Sequence, residues 1–558
     1  MNAMNPSTRL GEPCSTFPET ERSEDSRPVL DRLKALAPGT EERSRLTVPA
    51  LAEGEQYRFH FDMTRCIGCR SCEVACNEQN NNPPGVTWRR VGEIEGGDYP
   101  NVTRLHLSMA CNHCLEPSCL EGCPVDAYTK LENGIVDHDA ETCIGCQYCT
   151  WSCPYGVPQY HAERRVVTKC HMCVGRLADG ELPACVSACP TSAIEIESVD
   201  VAAWRGQIAS ADAPGVPPAD LTLSTTRITL PDDLPAAIGK VEAQLLEPQA
   251  AHWSLVIFLV LSQASVGLFA TLPFVFAEAS TTFALSLAAF VVGQVSLATA
   301  VFHLGRPVHA VRAMKAWRHS WLSREVIAFS LFAAASCAAL AGSFVRWREL
   351  GDPSPVAPAP GMLAVVLATV LATVLLGAAG IACSVGIYRI PARPAWHSHR
   401  TPLAFFITPV LLGASGLLLA SRLHPATPLE PSSWPSWLPS SWPAACLVAL
   451  AAISSALVPW QLVVEGLSAR EPSVRGAAVL LTRHLGRLLH LRTALLAAAA
   501  ALAPSSVFLE SRALSITAAA AALACALLGE IAGRYLFFVA VVPRNMPGSF
   551  FASRPAHG

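Results

Sequence analysis

The stretch Cys143-Ile-Gly-Cys146-Gln-Tyr-Cys149-Thr-Trp-Ser-Cys153-Pro154 decides the fold of the first part of this chain, because its cysteines follow the spacing C-x2-C-x2-C-x3-C-P. Three thiolates this close in sequence can wrap around one [4Fe-4S] cluster, while the fourth cysteine reaches a second cluster from the head of the next helix. The motif therefore predicts iron–sulfur clusters that come in interlocked pairs.

Three further cysteine groups surround this stretch. They are Cys66, Cys69, Cys72 and Cys76; Cys111, Cys114, Cys119 and Cys123; and Cys170, Cys173, Cys185 and Cys189. The first repeats the C-x2-C-x2-C-x3-C spacing, the second has a middle gap of four residues, and the last has eleven residues inserted. Together the four groups supply four ligands to each of four sites, and we expect four [4Fe-4S] clusters.

Zinc and disulfide bonds are the two alternatives for these cysteines. Pairs with C-x2-C spacing also bind zinc, but three ligands within one short loop followed by Cys-Pro favour a cluster. Disulfides are disfavoured by the cytoplasmic location argued below. The other five of the 21 cysteines are isolated, and we interpret them as packing residues: Cys14, Cys337, Cys383, Cys446 and Cys525.

The composition indicates a second, membrane-embedded part, because 51% of the 558 residues are hydrophobic and only 15% are charged. Eight apolar stretches are each long enough to cross a hydrocarbon core of about 30 Å, although Pro504 interrupts the seventh. They are predicted at 253–276, 281–304, 325–345, 361–388, 401–421, 443–464, 492–509 and 513–541. A large soluble all-α core is the disfavoured alternative.

The chain accordingly divides into four segments: a disordered arm at 1–55, a cysteine domain at 56–197, a connector at 198–250 and a membrane anchor at 251–545. The connector has room for one short amphipathic helix between Ile228 and Leu246. The predicted fold class is an α+β ferredoxin-like iron–sulfur domain followed by an all-α polytopic membrane domain of eight helices.

The basic residues of the short loops predict the orientation. One side carries Arg306, Arg312, Lys315, Arg318, Arg324, Arg389, Arg393, Arg400, Arg470, Arg475, Arg483, Arg487, Arg544 and Arg554, and the other only Arg346, Arg348, Arg422 and Arg512. The N-terminal arm has neither an apolar export segment nor paired arginines before one. We therefore expect an inner-membrane protein with both termini and the cysteine domain in the cytoplasm.

The cysteine region resembles the four-cluster iron–sulfur subunit of the dimethyl sulfoxide reductase family of molybdenum enzymes. The resemblance covers roughly residues 56–197 and includes the stretch CNHCLEPSCLEGCP. The membrane half resembles the anchor subunit of the same systems, above all at 302–326, FHLGRPVHAVRAMKAWRHSWLSREV, with support at 252–269 and 533–538. Fusion of two normally separate subunits is a departure from that pattern, and it leaves the molybdopterin catalytic subunit to another chain.

The resemblance also implies how the cysteine groups pair. It assigns Cys66, Cys69, Cys72 and Cys189 to one cluster and Cys170, Cys173, Cys185 and Cys76 to the next. It likewise assigns Cys111, Cys114, Cys119 and Cys153 to a third cluster and Cys143, Cys146, Cys149 and Cys123 to a fourth.

His303 and Glu325 are the candidates for a quinone site, because quinone chemistry requires a proton donor or acceptor near the ring. His303 is predicted to end the second span and Glu325 to open the third, and the anchor family's quinol-binding residues match these positions. Structural roles for both remain the alternative. Arg306 and Arg324 flank the same loop and either dock the cysteine domain, hold Glu325 or simply face solvent. Glu530 and Arg534 are predicted to form a structural pair on the last span.

These features predict an electron-transfer and anchor subunit, without its own substrate site, that works between menaquinone or ubiquinone and a molybdopterin partner. S-oxide or N-oxide reduction and sulfite oxidation both fit, and the predicted cytoplasmic side slightly favours sulfite. The alternatives are a formate, hydrogen or polysulfide type of complex, including one with haem, and a redox-sensing transporter. The net charge of −3 disfavours nucleic acid as a partner.

Reporter fusions test the orientation. A reporter placed after Ala279 should report export and one at the C-terminus a cytoplasmic location, as the positive-inside rule requires. Fluorescence and alkaline phosphatase activity of the two fusions measure this, and an exported C-terminus would contradict the assignment.

Overall fold

The computed structural model describes residues 47–235, 237–241, 246–276, 278–351, 360–424 and 441–548. Most of the predicted arm, together with Cys14 and Arg554, lies outside the described residues. The rest confirms the predicted fold class: a small α+β domain, here called the cluster domain (55–240), precedes eight helices long and apolar enough to span a membrane.

Within its described residues, 55–235 and 237–240, the cluster domain contains ten short strands in two three-stranded sheets and two hairpins. They are β1 Glu55–Asp62, β2 Arg90–Gly96, β3 Thr103–Met109, β4 Tyr128–Lys130, β5 Val136–His138, β6 Gln159–His161, β7 Val166–Thr168, β8 Ile194–Asp200, β9 Arg227–Thr229 and β10 Ile238–Lys240. The sheets have the orders β8-β1-β9 and β10-β2-β3, while β4-β5 and β6-β7 pair as hairpins.

The predicted connector at 198–250 is not a free linker. Strand β9 pairs in parallel with β1, His60 opposite Arg227, and β10 pairs antiparallel with β2, Ile238 opposite Gly96. Because these pairings join residues far apart in sequence, local periodicity did not reveal them. In the described part of Ile228–Leu246, strands replace the expected amphipathic helix, so this segment completes the cluster domain.

Six short helices carry or follow the cysteine loops: α1 Ser71–Asn80, α2 Ser118–Glu121, α3 Tyr148–Ser152, α4 Val174–Ala178, α5 Ala184–Ser187 and α6 Val201–Arg205. The loops before α1 and α3 have the same backbone path. Each has a glycine at positive φ, +68° at Gly68 and +69° at Gly145, and then a left-handed residue, Arg70 or Gln147, just before the helix. This shared path turns the third cysteine of each group inward on the first turn of its helix.

In the described residues, the membrane domain has eight long helices. They are α7 Trp253–Thr271, α8 Ala279–Val301, α9 Trp321–Gly351, α10 Pro360–Tyr388, α11 Arg400–Leu423, α12 Trp442–Leu467, α14 Gly486–Phe508 and α15 Arg512–Val539, with the short α13 Pro472–Val479 between α12 and α14. The seventh predicted span, which Pro504 interrupts in the sequence, is confirmed as one helix with Pro504 inside it. The second predicted span ends earlier than expected, at Val301, so His303 lies just beyond it.

The long helices form two four-helix bundles, and the main contact between the bundles is central. Helices α7 to α10 pack around one another, as do α11, α12, α14 and α15, and α7 packs against α11 between the bundles. In their most apolar windows, α7 and α11 are 67% and 61% buried, compared with 28–33% for the other six.

Small residues let α7 and α11 approach closely. A Cβ on Gly267 would lie 2.0 Å from the carbonyl oxygen of Pro409, and one on Gly413 would lie 2.5 Å from the carbonyl oxygen of Gly267. Close backbone contact through small residues is the usual way that membrane helices associate.

The cluster domain packs directly on the membrane domain. Tyr148 and Trp151 of α3 lie in the same buried hydrophobic cluster as the membrane helices. After α15 the C-terminal tail, residues 540–548, returns to the cluster domain: Met546 is buried in its core, and Lys240 donates to the carbonyl oxygen of Asn545.

Because α7 and α11 are in close contact, we expect one added methyl group between them to reduce the stability of the membrane domain strongly. Gly267→Ala should destabilise the membrane domain by about 1–3 kcal/mol, because the added carbon has no space without moving α11. Thermal unfolding in detergent measures the loss. Gly361→Ala is the matched control, since a Cβ there meets no atom within 4 Å; equal melting temperatures for both variants would contradict the tight contact.

Candidate iron–sulfur and quinone sites

Three cavities of the cluster domain are each lined by four cysteines drawn from two groups. The first cavity has Cys66, Cys69, Cys72 and Cys189; the second has Cys76, Cys170, Cys173 and Cys185; and the third has Cys111, Cys114, Cys119 and Cys153. In each, the fourth cysteine comes from the partner group named in the sequence analysis.

The remaining four cysteines also lie together. Cys123, Cys143 and Cys149 belong to one buried cluster with Cys146 packed against it. Cys146 interacts electrostatically with Cys123 and Cys143. We call this set the membrane-side cysteine group, because the contacts described below place it next to the membrane helices.

Burial makes these thiols poor acids when no metal is present. It raises the pKa of Cys114 and of Cys146 to about 12, and that of Cys153 and of Cys185 to about 11. The neighbouring thiolates raise these pKa values further. Four buried sulfurs can thus all be deprotonated only around a compact cationic centre, and the residues fit the charge requirement of an iron–sulfur cluster.

Backbone N–H groups point at several of the sulfurs. Ala127 donates to the Sγ of Cys123 over 3.3 Å, Gly145 to Cys143 over 3.4 Å and Ala193 to Cys189 over 3.2 Å. Such donors stabilise thiolates and tune the reduction potential of clusters. The local turns at Cys-Pro and at the C-x2-C loops supply these donors.

Arg89 adds a buried positive charge between the first two cavities. Its guanidinium stacks over Phe59 at 4.5 Å and donates to Ser108, and it lines the second cavity. Burial by itself lowers the pKa of Arg89, but Cys185, Cys72, Cys170 and Cys76 raise it above its usual value. The spacing of the cysteines in the sequence did not predict that Arg89 lies next to them.

The loop between α8 and α9, residues 302–320, contacts the membrane-side cysteine group. The N–H of Gly305 donates to the carbonyl oxygen of Gly145 over 3.2 Å, and that of Arg306 to Ile144 over 3.0 Å. The Nε2–H of His303 donates to the carbonyl oxygen of Cys146 over 3.0 Å. One predicted quinone residue therefore touches the backbone of a predicted cluster ligand.

The two flanking arginines have different surroundings. The Arg306 guanidinium donates to the carbonyl oxygen of Ala140 over 2.9 Å, so this residue docks the cluster domain. Arg324 is half-buried, donates to the carbonyl oxygens of Trp317 and Arg318, and stacks over Trp321. Its hydrogen bonds thus stay within its own loop and helix end and hold neither Glu325 nor the cluster domain.

Glu325 is buried on α9, with 6% of its surface exposed. It accepts a hydrogen bond from the hydroxyl of Ser384 on α10. Tyr148 and Tyr388 lie within electrostatic range of this carboxyl group, and the hydroxyl of Tyr148 donates to the carbonyl oxygen of Ile387. A buried carboxyl group with a single hydroxyl partner is suited to exchanging a proton.

Trp151 connects the cluster domain to this region. Its ring lies 4.9 Å from that of His252, 6.0 Å from His303 and 6.1 Å from Tyr388. Burial, and then the nearby His303 and Arg393, lowers the pKa of His252 to about 4, so this imidazole is neutral at pH 7. Sequence reasoning missed Trp151 and Tyr388 as neighbours of the site, although His252 begins one of the stretches that carried the resemblance.

The predicted ion pair between Glu530 and Arg534 is wrong, because Glu530 pairs with a different arginine. Glu530 accepts hydrogen bonds from Thr408 and Ser455, both at 2.5 Å, and its ion-pair partner is Arg492 of α14 at 3.6 Å. Arg534 instead donates to Gln263 over 2.8 Å and to the carbonyl oxygen of Ala404. Thr408 of α11 lies between the two side chains, since it donates to Glu530 and accepts from Arg534 over 3.3 Å, so they share a hydroxyl partner in place of the predicted ion pair.

A further group of possible metal ligands, His60, Glu195 and Glu197, lies on the first sheet. Both carboxylates are already paired with guanidinium groups, Glu195 with Arg65 and Glu197 with Arg227. This set therefore fits a salt-bridge network better than a metal site.

Comparison with known families divides the chain in the same way. Residues 102–199 match the 4Fe-4S dicluster domain, and residues 248–539 match the DMSO reductase anchor subunit (DmsC). The second match covers more than half of the chain. The prediction of an iron–sulfur domain fused to a membrane anchor is confirmed.

Three curated relatives match the cluster domain. The probable anaerobic dimethyl sulfoxide reductase chain YnfG of Escherichia coli K12 is 44% identical over 153 residues, which are 26% of this chain and 75% of the relative. A chain of the anaerobic dimethyl sulfoxide reductase of the same strain is 42% identical over 153 residues, with the same coverage. A sulfite dehydrogenase subunit of Allochromatium vinosum is 37% identical over 160 residues, 25% of this chain and 67% of the relative.

The four cysteine sets predict the iron content. Protein purified without oxygen should contain about sixteen irons per chain, since we expect each set of four thiolates to hold one [4Fe-4S] cluster. Iron analysis and EPR of the reduced protein measure this. A content of about eight irons would contradict the four-cluster assignment.

A single substitution tests the membrane-side group. Cys146→Ser should remove or convert one EPR signal, while Cys446→Ser, the matched control in a membrane helix, should leave all signals unchanged. Identical spectra for both variants would exclude Cys146 as a ligand.

Proposed function

This chain belongs to the dimethyl sulfoxide reductase family as an iron–sulfur electron-transfer subunit fused to a DmsC-type membrane anchor, and on that premise we propose that it transfers electrons between membrane quinone and a separate molybdopterin-containing catalytic subunit. The sixteen cysteines of the four sets hold four [4Fe-4S] clusters. When bound, these clusters supply one-electron carriers between the two ends of the cluster domain.

The observation that carries this proposal is the direct contact between the membrane-side cysteine group and the membrane loop. His303 donates to the carbonyl oxygen of Cys146, and the Trp151 ring lies next to those of His252 and His303. Quinone is the membrane-soluble redox partner that this position can serve. Menaquinone and ubiquinone both fit the argument.

The other end of the cluster domain supports a protein partner. Cys69 is exposed, in contrast to the other cysteines of its cavity, and the apolar side chains of Ile67 and Val74 beside it are 62% and 60% exposed. An apolar surface next to a predicted cluster is suited to covering by another subunit. We place the catalytic subunit on this surface.

Glu325 and His303 have distinct roles in the proposed mechanism. Glu325 accepts a proton from a quinol hydroxyl, or returns one to a quinone, and Ser384 orients its carboxyl group. His303 binds the quinol form: burial lowers its pKa, and its Nε2–H donates to the carbonyl oxygen of Cys146, which leaves Nδ1 to accept a hydrogen bond from a quinol hydroxyl. Arg306 keeps the loop in place, and Arg324 has no direct role.

The direction of electron flow distinguishes two reaction types. S-oxide reduction is supported by the dimethyl sulfoxide reductase relatives, and sulfite oxidation by the sulfite dehydrogenase relative together with the predicted cytoplasmic side in the inner membrane. The complex purified from its native membrane identifies the catalytic partner by mass spectrometry. Quinone-coupled turnover with sulfite and with S-oxides then decides between the two.

Glu325→Gln should abolish quinone-coupled turnover, with a loss of roughly 100-fold or more, because the amide cannot exchange a proton. The substitution keeps the volume and a hydrogen-bond partner for Ser384. Quinol oxidation by the complex and EPR of its clusters are measured on the same preparation.

Glu349→Gln is the matched control, because Glu349 is exposed at the opposite end of the same helix. It should leave turnover unchanged. If Glu325→Gln also left quinone-coupled turnover unchanged while the clusters stayed intact, the quinone site would lie elsewhere.

A further inference from the structure

A cavity of about 90 Å³ lies between the helices of the second bundle, away from His303 and Glu325. Its ionisable lining residues are Arg400, Arg492, Glu530 and Arg534. Most of the remaining wall is alanine, valine and leucine. The cavity is partly open, so its interior is accessible from the surface of the bundle.

Positive charge is in excess around this cavity. Arg400 pairs with Glu465 and Arg492 with Glu530, while Arg534 bonds only to neutral groups among the described residues. Three guanidinium groups thus face two carboxylates. An uncompensated cation among apolar helices is costly, and an anion in the cavity would relieve the cost.

Unused donors point to the position of that anion. Arg492 is 4% exposed, and among the described residues its Nε and Nη1 atoms have no hydrogen-bond partner; the same is true of the Nε of Arg534. Arg492 lies over Gly533, where a Cβ would be 2.5 Å from its Nε, and both residues line the cavity. A neutral quinone would leave the excess charge uncompensated, whereas phosphate oxygens match guanidinium donors in both charge and geometry.

The position of the cavity relative to the bilayer favours a lipid over a soluble anion as its ligand. It is lined by Ala395 and Trp396 from the loop before α11 and by Ala540 and Val541 beyond the end of α15, so it lies at the helix ends that face the cluster domain. Lipid head groups lie at this level of a bilayer, and basic pockets between membrane helices on one side bind them. The apolar walls are suited to the first carbons of the acyl chains.

We propose that this cavity binds the phosphodiester head group of an anionic membrane phospholipid, with Arg492 and Arg534 as its ligands. The site lies in the bundle that the proposed quinone reaction does not use. It connects to the docked region through Trp396, whose ring stacks on Phe537 at 5.0 Å and lies 5.6 Å from that of Trp151. Lipid binding thus holds the second bundle at the surface on which the cluster domain rests.

The test uses the full chain, delipidated in a neutral detergent and titrated separately with phosphatidylglycerol, phosphatidylcholine and inorganic phosphate. Native mass spectrometry counts the retained lipids, and thermal unfolding measures the stabilisation. The wild-type protein should retain phosphatidylglycerol in preference to phosphatidylcholine and be stabilised by it. A photoactivatable phosphatidylglycerol should label the segments around Trp396 and Gly533 in the unmodified chain.

Arg492→Gln should weaken phosphatidylglycerol binding roughly fivefold to tenfold, the effect of one lost guanidinium. Arg346→Gln is the matched control, because Arg346 donates to Phe276 at the opposite helix ends. If Arg492→Gln does not fold because Glu530 has lost its partner, the double variant R492Q/E530Q removes that carboxylate as well. Phosphatidylglycerol binding is then measured on the double variant.

Three results would overturn the proposal. They are equal retention of phosphatidylglycerol and phosphatidylcholine by the wild type, stabilisation by inorganic phosphate as large as that by the lipid, and equal phosphatidylglycerol affinity of the variants at Arg492 and of Arg346→Gln. The second result would assign the cavity to a free anion instead.

Discussion

The close contact of two backbones at Gly145 and Gly305 is the constraint on which the rest of this structure depends. A Cβ on either residue would lie 2.3 Å from the carbonyl oxygen of Arg165, so no side chain can separate the cysteine loop from the membrane loop. Electron transfer requires short distances between carriers, and in the proposed function this contact between backbones would keep the membrane-side cysteine group close to the quinone. The hydrogen bonds of His303 and Arg306 and the burial of Trp151 follow from this contact.

Charge placement differs between the two bundles of the anchor. In the first, the carboxyl group of Glu325 accepts a hydrogen bond from the hydroxyl of Ser384. In the second, Glu530 accepts hydrogen bonds from two hydroxyls and pairs with the guanidinium of Arg492. The two buried glutamates of the membrane domain thus differ in their partners.

Much of the fold could be predicted from local patterns in the sequence. The cysteine spacing and the eight apolar stretches each act within a few residues or one helix, and the structure brings the cysteines together and forms the helices at these positions. What the sequence did not reveal depends on chain segments that meet only in the folded state. Strands β9 and β10 pair with β1 and β2, Arg492 replaces Arg534 as the partner of Glu530, and Trp151 inserts among rings from five separate helices or loops.

The C-terminal tail gives this fused chain a second attachment between its halves. Lys240 and Met546 tie residues 540–548 to the cluster domain, while Arg544 bonds to Ala392 and Glu471 of the anchor. The polypeptide therefore forms a loop closed by non-covalent contacts as well as by the peptide bonds before α7. A polypeptide cut between Lys240 and Trp253 would still behave as one particle, and the covalent fusion sets the stoichiometry of an assembly that its folded surfaces already hold together.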